Sequence, residues 1–165
     1  MSLSSGMTLA ASASIIASAA AAARCTGAMA SFSICAIPAV LKGGASSDVM
    51  LKQWWTIYHH GKVVPITALI AALSYGAVSY NQHTKTSPRW RGFALAAAFT
   101  VAAIPFTIAF IGPTNSELSA GAHAEARTMS DKRVRSLITK WMNLNYIRLS
   151  LPLTGAIVGL WTLLS

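Results

Sequence analysis

The side chains in this sequence that could do chemistry are few, and they fall into three separate stretches. The first is Trp55-Thr-Ile-Tyr58-His59-His60. The second runs from Phe106-Thr107 to Thr114-Asn115, and the third holds Trp141, Asn145 and Arg148. As residue types, a histidine exchanges protons near neutral pH, and an amide or a guanidinium donates hydrogen bonds to negative charge. Proton transfer and anion stabilisation are therefore the chemistry on offer. Asn145 and Arg148 stand three residues apart, so a helix presents them together. His59 and His60 are adjacent, and on a helix they point about 100° apart, which makes them poor partners for one metal ion. His123 could complete a metal site with one of them. No nucleotide-binding loop, haem attachment motif, cysteine cluster or serine-nucleophile elbow is present.

The elements that must position these residues are membrane helices. Of the 165 residues 54% are hydrophobic and only 10% charged, with a mean hydropathy of +0.52. Soluble domains are about 25% charged, and a chain this poor in charge cannot cover a soluble surface. The expectation is an all-α integral membrane protein of one domain, residues 1–165. Lys and Arg number 13 against 4 Asp and Glu, a net charge of +9. The basic residues sit in short loops between apolar runs, where they anchor beside anionic headgroups; nucleic acid is not expected as a partner.

Four spans are predicted, at about 16–41, 63–81, 92–111 and 146–164. Residues 1–23 resemble a signal peptide ending at Ala21-Ala-Ala23. They lack an initial Lys or Arg, however, and apolar character continues past Arg24 to Leu41, so a retained first helix is predicted. Arg24 is expected to reach the interface with its long side chain. Gly27, Ser31 and Cys35 offer a small-residue packing face. On one helix Cys25 and Cys35 stand roughly 15 Å apart, too far for a disulfide. In the first loop Leu51, Trp54, Trp55 and Tyr58 share one face of a short helix expected to lie at the membrane interface. Pro105 interrupts the third span, and Gly112-Pro113 is expected to end it, with residues 116–130 a loop. Ser130-Asp131 caps a fourth helix that runs to Leu164, about 50 Å, so its first half projects beyond the bilayer. Pro152 is expected to kink it, and Gly155 and Gly159 to provide a packing face. Both termini then share one side. The other side carries eight Lys and Arg against three in the 81–91 loop, so the termini are placed on the luminal or exterior side. With this topology all three chemical stretches converge at one membrane boundary.

The runs Trp55-x-x-Tyr58-x-x-Gly61-x-x-x-Pro65, Pro105-x-Thr107, Pro113-Thr114-Asn115-x-x-Leu118 and Trp141-x-x-Leu144-Asn145-x-x-Arg148 occur in that order. Together they resemble the anthrone oxygenase family, small four-span membrane proteins formerly grouped as a domain of unknown function. The resemblance extends from about Gly27 to Gly159. It implies a membrane-bound oxygenase of secondary metabolism that oxidises an anthrone-like aromatic polyketide to a quinone. Molecular oxygen is the co-substrate, no organic cofactor is expected, and participation of a metal is left open. An anthrone has an acidic methylene, and its anion can react with oxygen directly. Under this reading Trp55, Phe106 and Trp141, with Thr107, form a slot for the flat tricycle. Arg148, Asn145 and Asn115 hold the oxyanion, and His59 or an ionised Tyr58 takes the proton. The partners implied are a small hydrophobic aromatic substrate, membrane lipid, and a second copy or biosynthetic enzymes. The location implied is a multi-pass one in the endoplasmic reticulum if the source is eukaryotic. Two other classes compete. A non-catalytic tetraspan scaffold would recruit partner enzymes; a transporter would show internal repeats and midplane charge, of which the spans hold only Arg24.

Overall fold

Long alanine-rich and aliphatic runs without acidic residues propagate as helix, because in lipid each backbone N–H and C=O must find its partner within the segment. The computed structural model describes residues 9–124 and 129–165, without the side chains of 9–12 and of Val63, and every element in it is helical. The elements join into four long rods. The first is α1 (Leu9–Ser31), a π-helical turn (Phe32–Ala36) and α2 (Ile37–Lys42). The second is α3 (Ser47–His60), a 3-10 turn (Gly61–Val63) and α4 (Val64–Thr84). The third is α5 (Trp90–Phe106), a second π-helical turn (Thr107–Ile111) and α6 (Gly112–His123), and the fourth is the unbroken α7 (Asp131–Leu164).

Outward-facing apolar side chains mark where lipid belongs. They run from Ile16 to Ile34 on the first rod, Ile66 to Tyr80 on the second, Leu95 to Phe110 on the third and Tyr146 to Leu164 on the fourth. Along the first rod this belt measures roughly 27 Å at 1.5 Å per residue, close to the hydrocarbon thickness of about 30 Å. All four rods are long and apolar enough to cross a membrane. Within the belt the helices pack as a ring, α1 against α4 and α7, and α5 against the same two. A Cβ at Gly159 would stand 2.5 Å from Tyr75 Cε1, and one at Gly155 would meet Thr100 and, at 2.8 Å, the Ala96 carbonyl oxygen. The two glycines are thus the packing face expected of them. Arg24 is exposed on the outer side of α1, midway along the belt. Cys25 and Cys35 are both free thiols.

Beyond the belt α2, α3, α6 and the first half of α7 continue as a head with its own core. Met50, Leu51, Trp54, Leu118, Val134 and Ile138 are buried there. Polar ties hold the head together. Glu117 pairs with Arg133 at 2.7 Å, Arg135 Nη1 donates to the Leu41 carbonyl at 2.8 Å, and Ser47 donates to Asp131. Ser130 caps α7 by accepting from the Arg133 N–H at 3.3 Å.

One expectation is revised. The third rod does not end at Gly112-Pro113 but continues to His123; residues 125–128 of the predicted loop, and residues 1–8, lie outside the described residues. Proline lacks an N–H and crowds the preceding turn, and both effects are tolerated at the first turn of a helix. Each π turn ends immediately ahead of such a proline. The Ile37 N–H bonds back to the Phe32 carbonyl before Pro38, and the Gly112 N–H to the Thr107 carbonyl before Pro113. The wider turn carries the chain across the proline. The short helix α3 predicted in the first loop is present, and its Leu51 and Trp54 side packs against α6, α7 and α2.

Candidate active site

Three of the four rods change helical register at the same level, where belt meets head, and a cleft opens there. Breaks of this kind free backbone groups and re-aim side chains, and π turns recur at functional sites. Phe32 begins the first π turn, Gly61 and Lys62 lie in the 3-10 turn, and Thr107 begins the second π turn. These four line the cleft together with Ile57, Tyr58, Pro65, Asn115, Trp141 and Arg148, around a volume of about 140 Å³.

Arg148 enters from α7 and is held on two sides. Its Nη1 donates to Thr107 Oγ1 at 3.3 Å, and its Nη2 donates to Asn145 Oδ1. The Thr107 hydroxyl in turn donates a hydrogen bond to the Ala103 carbonyl oxygen at 2.6 Å. The Arg148 Nε–H is buried with no partner among the described residues, so the guanidinium retains donor capacity. On the opposite wall the Trp141 indole N–H donates to Asn115 Oδ1 at 2.8 Å. An indole nitrogen can only donate, which fixes the amide oxygen toward it and leaves the Asn115 NH₂ as the free end. Tyr58 stacks on the fully buried Trp54, ring centroids 5.0 Å apart and planes 7° from parallel. Trp141 meets the same Trp54 ring edge-on at 6.2 Å. Lys62 Nζ lies 5.1 Å from the Tyr58 ring centroid and 5.3 Å from that of Trp55. Gly61 is needed for a close approach: a Cβ there would stand 3.1 Å from Phe32 Cε2.

The lining therefore joins aromatic walls to Arg148, Lys62, the Asn115 amide and the Tyr58 hydroxyl, with no carboxylate. Such a set of N–H donors beside aromatic walls is suited to stabilising negative charge.

The sequence profile of the family described as anthrone oxygenase matches residues 54–158. The chain belongs to the anthrone oxygenase family. It is 34% identical over 139 residues to anthrone oxygenase AgnL2 of Paecilomyces divaricatus, covering 81% of this chain and 85% of the relative. It is likewise 34% identical to anthrone oxygenase nsrD of Aspergillus novofumigatus, over 81% of this chain and 83% of the relative. To monooxygenase hypC of Dothistroma septosporum it is 30% identical, over 82% of this chain and 74% of that one. No solved structure matches the chain. This anthrone oxygenase family member is an oxygenase-type membrane enzyme, and the matched segment contains every cleft residue except Phe32.

Of the residues the sequence singled out in this oxygenase, the fold brings Tyr58, Thr107, Asn115, Trp141 and Arg148 to the cleft. Trp55 stands beside it, under Lys62, and Phe106 packs on Phe110 with ring centroids 4.9 Å apart. His59 is exposed and does not line the cleft; its ring lies 5.8 Å from that of Trp55. The reason is rotational: Tyr58 faces inward, and the next residue on a helix points about 100° away. Asn145 does not line the cleft either and is fully buried. Its Nδ2 donates to the Met29 carbonyl at 2.8 Å and to Ser33 Oγ at 2.7 Å. Its Oδ1 accepts from Arg148. Among the described residues no three of His, Cys, Asp and Glu come together, and His123 lies against Trp55 with ring centroids 4.3 Å apart. Sequence reasoning missed Phe32, Lys62 and Ser33. Gly61 and Pro65 stood in the quoted motif, and Lys62 between them was the available signal.

Proposed function

We propose that this oxygenase converts an anthrone-like aromatic polyketide to the corresponding quinone with molecular oxygen. The observation that carries the reading is a cleft with aromatic walls whose charged and amide groups all present N–H donors, two of them cationic, with no carboxylate. A volume of about 140 Å³ is below the usual range for ligand pockets, about 300 Å³ and upward. A flat tricycle enters edge-on, with part of its surface left at the mouth.

The reaction balances without an external reductant. Tyr58, in the ionised form that this role requires, takes one methylene proton, and the resulting anion spreads its charge onto the ring oxygen, which Arg148 and the Asn115 NH₂ hold. The anionic carbon forms a bond to one atom of dioxygen, giving a hydroperoxide once the distal oxygen is protonated. Removal of the second hydrogen from that carbon breaks the O–O bond and expels hydroxide, which leaves as water. One oxygen atom ends in the quinone and the other in water, and all electrons come from the substrate. The relatives named as anthrone oxygenases support this reading, and in a eukaryotic source the multi-pass location proposed is the endoplasmic reticulum.

The test is oxygen uptake and quinone formation by purified protein supplied with anthrones, together with metal analysis and a chelator arm. Stoichiometric quinone and water support the reading. Turnover that survives in metal-free protein identifies metal-free chemistry, and loss to chelator with rescue by one metal identifies a metal centre. Absence of uptake with or without added metal overturns the reading in favour of a scaffold or another substrate.

A further inference from the structure

Two cations line the cleft, and no carboxylate does. Arg148 is held by Thr107 and Asn145, and the reaction proposed above gives it an oxyanion to stabilise. Lys62 has no such assignment. It is exposed, and its Nζ is drawn over the rings of Tyr58 and Trp55, 5.1 and 5.3 Å from their centroids. A cation–π contact places an ammonium without cancelling its charge. Among the described acidic side chains none pairs with Lys62. Glu117 is taken by Arg133, Asp131 accepts from Ser47, and Asp48 stands in the first turn of α3, at the end away from the cleft. The proposed proton transfer does not change this balance, because one negative charge moves from Tyr58 to the substrate oxygen. Cleft and ligand together hold two cations against one anion throughout.

We infer that Lys62 is a specificity residue and that the substrate carries a carboxylate, which the Lys62 ammonium holds at the mouth while Arg148 serves the reacting end. The inference rests on the oxygenase reading above for the aromatic core and adds the acidic substituent to it. A carboxylate is the group that chemistry favours there: a carboxyl group, with a reference pKa of about 4, is ionised at neutral pH, whereas a phenol at about 10 is not. An ammonium is a compact point charge on a flexible stem with three donors, suited to a substituent that stays partly in water. The level of the cleft agrees with such a ligand. It opens where belt meets head, and a molecule with an apolar body and a polar end settles at that boundary.

The probes are an anthrone carboxylic acid and its methyl ester, which differ in charge and little in shape. Their Kd values are measured on purified protein under nitrogen, before any oxidation, and compared as a ratio of acid to ester. Comparing this ratio between variants cancels the unequal partition of the two probes into detergent. Lys62→Met, which keeps an apolar stem over the rings, is expected to weaken the preference for the acid about tenfold, the scale of one charge-assisted hydrogen bond. Lys62→Arg is expected to retain the preference, and added salt to weaken it in wild-type protein. A ratio that Lys62→Met leaves unchanged overturns the inference, as does a preference insensitive to salt or lost equally in Lys62→Arg. If Lys62 serves a lipid headgroup instead, Lys62→Met weakens binding to anionic vesicles and leaves the ratio where it was, which also overturns it. The two readings fail separately. Protein that binds the acid through Lys62 but consumes no oxygen sinks the oxygenase reading alone, whereas protein that oxidises acid and ester with no preference dependent on Lys62 sinks this inference alone.

Discussion

Asn145 holds Arg148 without reaching the cleft itself. Its Oδ1 accepts from the Arg148 guanidinium one turn further along α7, while its Nδ2 donates to the Met29 carbonyl and to Ser33 Oγ on the first rod. The first rod thus anchors the amide, the amide orients the guanidinium, and Thr107 on the third rod receives the other guanidinium nitrogen. Buried polar chains of this sort restrict a long side chain to one geometry and are costly when broken.

Asn145→Ala is therefore expected to lower stability by about 1–3 kcal/mol, because Ser33 and the Met29 carbonyl lose a buried partner. It is also expected to reduce turnover through misplacement of Arg148. Turnover of the double variant with Arg148→Ala should match that of Arg148→Ala alone, since residues acting as a unit are not additive. Multiplying losses would show that Asn145 acts on its own.

Arg148→Ala is expected to cut kcat about 100-fold or more, the scale of removing one oxyanion donor from a preorganised site. His59→Ala, at an exposed position outside the cleft, should stay within about twofold of wild type. Steady-state quinone formation in membranes measures both. Equal losses would return His59 to the reaction.

Trp141→Phe keeps the ring against Trp54 and deletes the N–H that orients Asn115. Loss of one hydrogen bond of about 1 kcal/mol corresponds to about a fivefold fall in kcat/KM. In an Asn115→Ala background the same change should add little, since the indole acts through that amide. A full additional loss would mean that the indole does not set the amide.

Gly61→Ala suits the backbone, since Gly61 has φ −74°, but its methyl group would stand 3.1 Å from the Phe32 ring. The ring must give way, and a shift toward the cleft is expected. The expected signature is a raised KM for the aromatic with little change in thermal stability, and an unchanged KM would show that Phe32 moves away from the cleft instead.

Gly159→Ala presses a methyl group onto Tyr75 in the membrane half, far from the cleft. Overpacking of this kind costs about 1–3 kcal/mol, so thermal unfolding in detergent should move down while activity per folded molecule is kept. A fall in specific activity at full folding would couple the belt to the site.

Much of this architecture was legible in the chain. Leu137, Trp141, Leu144, Asn145 and Arg148 share one helical face, and Ser130-Asp131 marks its start, so α7 could be drawn from Asp131 to Leu164 before any coordinates existed. Gly155 and Gly159 announced their packing role by spacing alone. The Gly112-Pro113 exit was misleading because a proline stops a helix only where the preceding turn is regular. The π turn at Thr107–Ile111 has no sequence periodicity of its own. The same holds for Phe32, whose place in the cleft comes from the other π turn, on a rod distant in sequence from the motifs.

By itself, then, the sequence determined the class of the protein, its helices and the membrane boundary at which the chemical residues gather. Those follow from local composition and from the requirement that backbone groups in lipid be satisfied within each segment. Only the tertiary structure decided which sides of those helices meet. Tyr58 faces the cleft and His59 does not, because Trp54 seats its rod under Trp141 and one step along a helix turns a side chain by about 100°. It also decided that Asn145 positions and Arg148 presents, a division set by which of the two lies nearer Ser33 and Met29 on the first rod.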